Sequence, residues 1–273
     1  MNMQCVPYTL NVSGRLLSLE RPLVMGILNA TKESFYEESR TFSSEEVVRR
    51  AHEMLRDGAD IIDVGGCSTR PGLPPVSELE EMERLAMALT ALRSTLPEVL
   101  LSVDTFRASV AERCVRDFGV QMVNDVSGGK ADARMFATVA DLQVPYVLTS
   151  NKGAWTELIY DLAERIGQLR LMGVNDVVVD PGFGFGKTLD DNYGLMAHLE
   201  ELCQFECPLL VGVSRKSMVY NLLGITADEA LNGTTVLHTV ALMKGAHILR
   251  VHDVKAAAEA IAVVDKIKAS CVG

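Results

Sequence analysis

The sequence lacks the features that mark several large protein classes. No apolar run approaches the length needed to span a bilayer, and the amino terminus has no basic region followed by an apolar core and a cleavage site. The net charge of −10 and the isoelectric point near 5.0 argue against general binding to nucleic acids or anionic membranes. We therefore expect a soluble cytoplasmic protein that binds neither membrane nor nucleic acid.

Paired cysteine motifs and linker-like stretches are also missing. The six cysteines are dispersed and indicate reduced thiols, although Cys203 and Cys207 together remain a weak candidate for a metal site. No low-complexity stretch divides the 273 residues, of which 48% are hydrophobic, so the chain can bury one large core. These properties predict a single domain over residues 1–273.

What the sequence does contain is a series of apolar runs typical of buried strands. Between them lie amphipathic stretches with serine caps, early glutamates and terminal glycines, as in residues 43–58, which predict helices. Eight such units favour an α/β fold of the TIM (β/α)8 type over residues 21–266, with a doubly wound sheet as the alternative. Residues 1–20 are expected to hold a short β-hairpin that turns at Ser13 and Gly14 and caps the bottom of the barrel. The predicted strands are residues 23–28, 60–64, 100–103, 121–123, 146–148, 177–179, 209–213 and 247–251.

One stretch, DVVVDPGFGFGKT from Asp176 to Thr188, breaks abruptly from an apolar run into a carboxylate, a proline and three glycines. Its spacing fits neither a Walker loop nor a dinucleotide fingerprint. A pliable backbone interleaved with Phe183 and Phe185 suits a flat ring lying close to the main chain, whereas the alternative is a turn whose glycines serve packing alone. Lys187 and Thr188 are expected to begin the next helix.

Polar residues follow nearly every predicted strand, and in a TIM barrel these ends meet over one mouth. Asp104, Asn124 and Asp180 offer acceptors and an amide suited to a nitrogen-rich heterocycle, and Lys216 would donate to its carbonyl side. For Asp104 the alternative is a cap on the following helix. The strand-end set comprises Asn29, Asp63, Thr69, Arg70, Asp104, Asn124, Ser150, Asn151, Asp180, residues 214–217, Arg250 and His252.

A second group of strand-end residues is cationic. Arg70, Arg250 and His252 indicate a site for a polyphosphate or pyrophosphate, and the side-chain oxygen of Asn29 could complete the shell of a bound Mg²⁺. His252 could instead only order a helix start. The turn at residues 212–217, GVSRKS, could hold a carboxylate or could be a simple capped turn.

Seven motifs occur in an order that resembles the dihydropteroate synthase family: VMGILNATKESF, DIIDVGGCSTRPG, LSVDTFRASV, VNDVSGG, DPGFGFGKT, VGVSRKS and ILRVHDV. The resemblance covers residues 21 to 262. It implies a TIM barrel, usually a homodimer, that joins 6-hydroxymethyl-7,8-dihydropterin pyrophosphate to p-aminobenzoate with Mg²⁺. The products would be 7,8-dihydropteroate and pyrophosphate in folate biosynthesis, and sulfonamides would compete with p-aminobenzoate.

The same resemblance assigns roles to residues of this chain. The pterin pocket would consist of Asp104, Asn124, Asp180 and Lys216, with Arg250 stacking on the ring. The pyrophosphate and Mg²⁺ site would consist of Asn29, Arg70, Arg250 and His252, with Asn29 as the metal ligand. The p-aminobenzoate side would consist of Thr69, Pro71, Phe185 and Ser217. Catalytic roles would fall on Asn29, Arg70, Asp104, Lys216, Arg250 and His252.

The chain departs from the family pattern in three segments. Residues 31–35 read TKESF where the family usually has Thr-Pro-Asp-Ser-Phe, residues 148–153 lack the usual His, and an extended loop after Gly153 is missing. Two alternatives to an active synthase stay open, and the second of them is suggested by these departures. One is another pterin-binding barrel, such as a methyltetrahydrofolate methyltransferase, and the other is a catalytically silent pterin-binding paralogue.

Overall fold

A computed structural model of the protein describes residues 8–30, 43–67 and 76–270 of the chain. Its first element is an antiparallel hairpin of β1 (Thr9–Val12) and β2 (Arg15–Ser18). The turn between them lies at Ser13 and Gly14, whose φ angles of 54° and 82° are those of a primed turn that matches the twist of the flanking strands. The predicted hairpin and the position of its turn are confirmed.

Eight parallel strands follow in a nearly closed barrel, which confirms the predicted TIM-type fold. The hydrogen-bonded order around the sheet is β8-β7-β6-β5-β4-β3-β10-β9. Every predicted strand overlaps an observed one, but the seventh has only two residues where residues 209–213 were expected. The barrel strands are β3 (Leu23–Asn29), β4 (Ile61–Gly65), β5 (Leu100–Asp104), β6 (Met122–Asp125), β7 (Tyr146–Thr149), β8 (Val177–Asp180), β9 (Leu210–Val211) and β10 (Ile248–Val251).

Helices lie between the strands and cover the outer face of the barrel. Their ends follow the sequence signals: the Ser43 side chain accepts a hydrogen bond from the Glu46 amide at 3.3 Å, and Thr188 forms a capping box with Asp191. In the described part of the chain, no helix combines the length and apolar character needed to cross a bilayer. The helices are α1 (Ser44–Arg56), α2 (Glu78–Thr95), α3 (Ala108–Phe118), α4 (Met135–Leu142), α5 (Trp155–Leu171), α6 (Leu189–Ala197), α7 (Ser217–Leu223), α8 (Leu231–Met243) and α9 (Val254–Ser270), with a 3-10 helix at Leu199–Phe205.

The hairpin packs against the amino-terminal end of the barrel interior. Leu10 and Leu19 are 1% and 3% exposed and belong to the same apolar cluster as the first inward-facing layer of barrel side chains. Burial of these side chains removes apolar surface from water and fills the barrel from below. The predicted capping role of the hairpin is therefore confirmed. The barrel members of this layer are Leu23, Met25, Ile61, Met122, Val147, Val178, Leu210 and Ile248.

The next inward-facing layer of the barrel is polar. Side chains two positions apart on a strand share a face, so the residue two positions after each apolar one also points inward. Two residues beyond Ile61, Met122, Val178 and Ile248 lie Asp63, Asn124, Asp180 and Arg250. An apolar floor thus supports a polar layer at the carboxyl ends of the strands.

The barrel is closed between β8 and β9 by a narrow seam. An isolated parallel bridge joins Val179 and Leu209, and the Val179 amide donates to the carbonyl of Pro208 at 2.8 Å. Every other pair of neighbouring strands shares a ladder of at least two registered residue pairs. The seam lies next to Asp180, at the edge of the polar layer.

Candidate functional site

Four neighbouring strands place one row of residues at the mouth of the barrel. Asn29 of β3 pairs with Gly65 of β4, Gly65 pairs with Asp104 of β5, and Asp104 pairs with Asn124 of β6. A Cβ atom at Gly65 would lie 3.5 Å from the Asn29 Oδ1 and 3.6 Å from the Asp104 Cβ. A side chain at position 65 would enter the space between Asn29 and Asp104, and the glycine leaves that space open.

Arg250 of β10 lies across the barrel between two buried carboxylates. Its Nε donates to Asp63 Oδ2 and its Nη2 donates to Asp104 Oδ2, both at 2.7 Å. Asp63 Oδ2 also accepts from the Asn124 Nδ2 at 2.9 Å. Four strands are thereby joined through one guanidinium and one shared oxygen, which fixes the orientations of Asp104, Asn124 and Arg250.

Two carboxylate oxygens of this network have no hydrogen-bond partner within the described residues, namely Asp63 Oδ1 and Asp104 Oδ1. A buried acceptor without a partner is costly and is typical of a site completed by a ligand or an ordered water. Asp104 is 7% exposed whereas Asp63 is fully buried. Asp104 is therefore the carboxylate placed to receive a donor from the mouth.

Asp180 and Lys216 form the opposite wall. The Asp180 Oδ1 accepts from the Gly182 amide at 2.8 Å, which bends the chain away from β8 and holds the carboxylate at the strand end. The Lys216 Nζ donates to the carbonyl of Phe183 and lies 4.3 Å from the centroid of the Phe185 ring. This wall combines an anion, a cation and an aromatic face.

Burial moves the pKa values of Asp104, Asp180 and Lys216 toward neutrality. It raises the pKa of Asp104 to about 7, with Arg250 opposing the shift and Asp63 adding to it. Burial also raises the pKa of Asp180, with Lys216 opposing, and it lowers the pKa of Lys216 to about 8, with Asp180 opposing. For Arg250, burial disfavours the charge, but Asp63 and Asp104 outweigh it and raise the pKa. Strongly perturbed groups gathered in one mouth are typical of a functional site.

The glycine loop after β8 divides its two aromatic side chains between core and mouth. Phe183 is fully buried in the core, while Phe185 is partly exposed beside Lys216. Gly182 has a φ of 71°, and a Cβ there would lie 2.3 Å from the carbonyl oxygen of Ser150. Only glycine allows this close approach of the two loops.

The sequence matches the pterin binding enzyme family over residues 25–252. A dihydropteroate synthase from Escherichia coli K12 is 38% identical over 267 residues, which cover 92% of this chain and 94% of the relative. The chain belongs to the dihydropteroate synthase family of pterin-binding enzymes. The resemblance inferred from the seven motifs is confirmed, and it favours the synthase over the methyltransferase alternative.

Solved dihydropteroate synthases share the fold over nearly the whole chain. The enzyme from Xanthomonas albilineans with 4-aminobenzoic acid superposes with a TM-score of 0.90 at 36% identity, covering 97% of this chain and 99% of that one. The same enzyme in complex with 7,8-dihydropteroate gives a TM-score of 0.86 at 35% identity, covering 96% and 99%. The family therefore extends through both the hairpin and the barrel.

The structure brings most of the predicted dihydropteroate synthase site together. Asp104, Asn124, Asp180, Lys216 and Arg250 surround the mouth in the contacts described above. The alternative that Asp104 caps the next helix is wrong, because the first amide of α3 is bonded by Asp132 and the Asp104 carboxylate faces Arg250. Thr69, Arg70 and Pro71, like the altered segment 31–35, lie outside the described residues.

The two cationic side chains of the GVSRKS turn, Arg215 and Lys216, point to different places. Arg215, with a φ of 53°, makes a bidentate pair with Asp253 at 2.7 and 2.8 Å, so it anchors the turn to the start of α9. Lys216 faces the mouth instead, and Ser217 is the first residue of α7. The Ser214 Oγ accepts from the His252 amide at 3.1 Å and ties this turn to the end of β10.

His252 and Asn29 occupy less buried positions than the carboxylate network. His252 is exposed and lines a cavity of about 470 Å³ whose charged residues are of both signs: Arg50, Glu53, Asp57, Asp253, Lys255 and Glu259. Asn29 is half-buried at the top of β3. The Asn29 amide oxygen is a ligand that Mg²⁺ accepts, and Mg²⁺ commonly combines few protein oxygens with substrate phosphates and waters. The donor chemistry of Asn29 therefore fits the expected ion.

Two residues have larger roles in the structure than the sequence patterns indicate. Asp63 stands out in the sequence only as a strand-end residue, yet it holds both Arg250 and Asn124; its signal is a carboxylate in the middle of the apolar run IIDVG. Lys187 is predicted only to begin a helix. Thr188 does cap α6, but the Lys187 ammonium turns back into the glycine loop and donates to three carbonyl oxygens.

Proposed function

We propose that this chain is a cytoplasmic dihydropteroate synthase. It condenses 6-hydroxymethyl-7,8-dihydropterin pyrophosphate with p-aminobenzoate and releases 7,8-dihydropteroate and pyrophosphate in folate biosynthesis. The observation that carries the proposal is the set of Asp104, Asn124 and Asp180 around one mouth, with Arg250 and Lys216 beside them. This arrangement offers acceptors for ring N–H groups and cations for a departing anion.

The pterin ring is bound by the buried acceptors. The unpartnered Asp104 Oδ1 accepts from the ring, and its other oxygen stays on Arg250, so the carboxylate keeps its orientation when the substrate leaves. Asp180 accepts from the opposite side, where Gly182 holds it, and Lys216 donates to the ring carbonyl. Groups fixed before binding lose little entropy on binding, which favours affinity and precise placement.

The pyrophosphate lies toward the cationic side of the mouth. Arg250, with Arg70 and His252 as proposed further contacts, attracts the phosphate oxygens, and Asn29 would hold Mg²⁺ through its amide oxygen. When bound, Mg²⁺ neutralises charge on the pyrophosphate and makes it a better leaving group. The protein contributes pre-placed positive charge in a partly dry site, where such charge acts more strongly than in water.

The second substrate occupies the outer part of the mouth. The Phe185 ring, held beside Lys216, forms an aromatic wall for p-aminobenzoate, and Thr69, Pro71 and Ser217 complete this side. The Xanthomonas albilineans relative contains 4-aminobenzoic acid, which supports the assignment of this substrate. A sulfonamide has a similar ring and amine and should therefore compete for the same space.

In the reaction, pyrophosphate leaves before the amine of p-aminobenzoate attacks. The bond between the pterin methylene carbon and the pyrophosphate oxygen breaks, and its electron pair leaves with the pyrophosphate. The Asp104 and Asp180 carboxylates stabilise the positive charge that spreads over the ring. The amine of p-aminobenzoate then forms the new C–N bond and loses a proton. Positioning and charge stabilisation carry this chemistry, and it needs no protein nucleophile.

We further propose that the chain forms a homodimer through α8 and α9. These helices pack against each other and expose the apolar side chains of Val236, Met243, Val263 and Ile267. Sedimentation should show a dimer for the wild type and a monomer for Val263→Glu. A matched Leu171→Glu change on α5, at a side chain that is 90% exposed, should leave the dimer intact. A monomeric wild type at micromolar concentration would refute the dimer.

The activity is tested by pyrophosphate release. Purified protein should sustain pyrophosphate release from the pterin substrate over many turnovers only when Mg²⁺ and p-aminobenzoate are both present, and mass spectrometry should detect dihydropteroate. Asp104→Asn, which keeps the shape of the side chain, should lower kcat/KM at least about a hundredfold because it removes a buried charge-assisted acceptor. Binding of the pterin without any release of pyrophosphate would show a catalytically silent paralogue instead.

A further inference from the structure

Lys187, in the GKT segment, connects two loops at the mouth. Its Nζ donates to the carbonyl of Ser150, which follows β7, at 3.0 Å, and to the carbonyls of Gly182 and Phe185, which follow β8, at 2.9 and 3.4 Å. Three acceptors match the three donors of an ammonium group. The Lys187 ammonium therefore forms hydrogen bonds with backbone carbonyl oxygens of two separate loops.

The two loops pack closely against each other, and the carbonyls of Ser150, Gly182 and Phe185 converge on the Lys187 Nζ. The Ser150 oxygen lies so close to Gly182 that a Cβ there would be 2.3 Å away, and a Cβ at Gly186 would lie 3.0 Å from the carbonyl oxygen of Asn151. Carbonyl dipoles pointing toward one place repel each other unless a cation lies between them. The half-buried Lys187 ammonium supplies that cation.

Within the described residues, the carboxylates near Lys187 do not form hydrogen bonds with its ammonium group. Asp180 and Asp191 attract it from a distance, but Asp180 is bonded to the Gly182 amide and Asp191 closes the capping box with Thr188. Burial lowers the pKa of Lys187 to about 8, with both aspartates opposing the shift. The direct partners of the ammonium are the three carbonyls.

We propose that Lys187 is a positioning residue for the second substrate: by tying the loop after β7 to the glycine loop after β8, it sets the place of the Phe185 ring. This inference rests on the proposed function. The Phe185 carbonyl is bound directly by the ammonium, and the Phe185 ring lies 4.3 Å from Lys216. Asp104 ends β5 and Asn124 lies near the end of β6, away from these loops. Asp180 accepts from the Gly182 amide of the glycine loop, but its backbone is anchored by the ladder between β7 and β8.

The test separates the two substrates. Lys187→Met keeps the length of the side chain without its charge, and it should raise KM for p-aminobenzoate about tenfold because the displaced Phe185 ring no longer packs against that substrate. KM for the pterin pyrophosphate and kcat should each stay within about threefold, since the strand-borne groups keep their places. Lys152→Met is the matched control, because the Lys152 Nζ in the same loop faces Glu157 at 3.6 Å on the surface. It should change neither KM.

A second measurement does not depend on turnover. Hydrogen exchange in the wild type and in Lys187→Met should show the amides of residues 150–153 and 182–187 exchanging about tenfold faster in the variant, with residues 100–104 of β5 unchanged. Equal rises in both KM values, a fall in kcat alone, or unchanged exchange in the two loops would each overturn the proposal. A wild type without activity would refute the proposed function, whereas the exchange experiment would still decide the role of Lys187.

A conservative variant covers the case in which Lys187→Met does not fold. Lys187→Arg keeps the positive charge, but a planar guanidinium cannot place its donors on all three carbonyls in the same way. The same rise in KM for p-aminobenzoate is expected, at a smaller size than for methionine. Unchanged KM values in a folded Lys187→Arg protein would contradict the proposal.

Discussion

Replacing Asp63 with Asn should move the pH dependence of pterin binding toward lower pH. The Asp63 carboxylate does not face the mouth, but it shares the Arg250 guanidinium with Asp104 and contributes to the raised pKa of Asp104. Asp104 is neutral below a pKa of about 7 and accepts from ring N–H groups best when ionised. The affinity of the wild type for the pterin should therefore fall as the pH drops through 7. Removal of the Asp63 charge should move that fall to lower pH.

The size of the shift follows from the geometry. Both carboxylates bond to nitrogens of one guanidinium at 2.7 Å, so their charges lie about 5 Å apart and, at an effective dielectric constant of about 20, repel each other by about 3 kcal/mol. At 1.36 kcal/mol per pKa unit, this repulsion corresponds to about two units. Between pH 8 and pH 6 the wild type should lose about tenfold in affinity and Asp63→Asn less than about threefold.

The assay is calorimetric titration with 6-hydroxymethylpterin at several pH values. Comparing the ratio of affinities at pH 6 and pH 8 cancels the ionisation of the ligand and of Lys216, which are common to both proteins. Asp176→Asn is a suitable control, because Asp176 also has a pKa raised by burial but bonds to the Asn11 amide, far from the mouth. A folded Asp63→Asn protein with the same pH 6 to pH 8 ratio as the wild type would refute the electrostatic reasoning.

Three further substitutions test the interior by thermal unfolding. Arg250→Met leaves two buried carboxylates without their cation and should cost about 3–5 kcal/mol, and a loss below 1 kcal/mol would mean that they are protonated together. Gly182→Ala forces a Cβ against the Ser150 carbonyl at a φ of 71°, so we expect at least about 2 kcal/mol and a lower melting temperature. Tyr146→Phe removes the hydroxyl that donates to Asp125 at 2.8 Å and should cost about 1–2 kcal/mol, and a neutral result would show that Asp125 is satisfied by its two amide donors.

The barrel could be predicted from the sequence because each of its strands is a short apolar run followed by helix signals. The period of two along a strand also places Asp63, Asn124, Asp180 and Arg250 above apolar neighbours, so their shared face follows from the strand positions. β9 is shorter than predicted because residues 209–213 are apolar throughout while only Leu210–Val211 finds a ladder partner. Apolar character predicts burial, but strand length depends on the neighbouring strand.

The individual contacts of the site could not be predicted in the same way. Asp63 and Arg250 are 187 positions apart, and nothing local indicates that one guanidinium will join Asp63 to Asp104. Arg215 and Lys216 are adjacent cations, and only the backbone conformation at Arg215 sends one to Asp253 and the other to the mouth. Such choices depend on tertiary geometry, which a pattern of residue types does not contain.

The narrow seam between β8 and β9 has a consequence for how ligands act on the whole molecule. Asp180 ends β8 and Lys216 follows β9. A ring bound by both residues therefore bridges the pair of neighbouring barrel strands that shares the fewest hydrogen bonds. A ligand that bridges the least hydrogen-bonded pair of strands stabilises the closed barrel more than one that bridges a well-paired region. Pterin binding should accordingly slow amide exchange along both β8 and β9, well beyond the atoms that it touches.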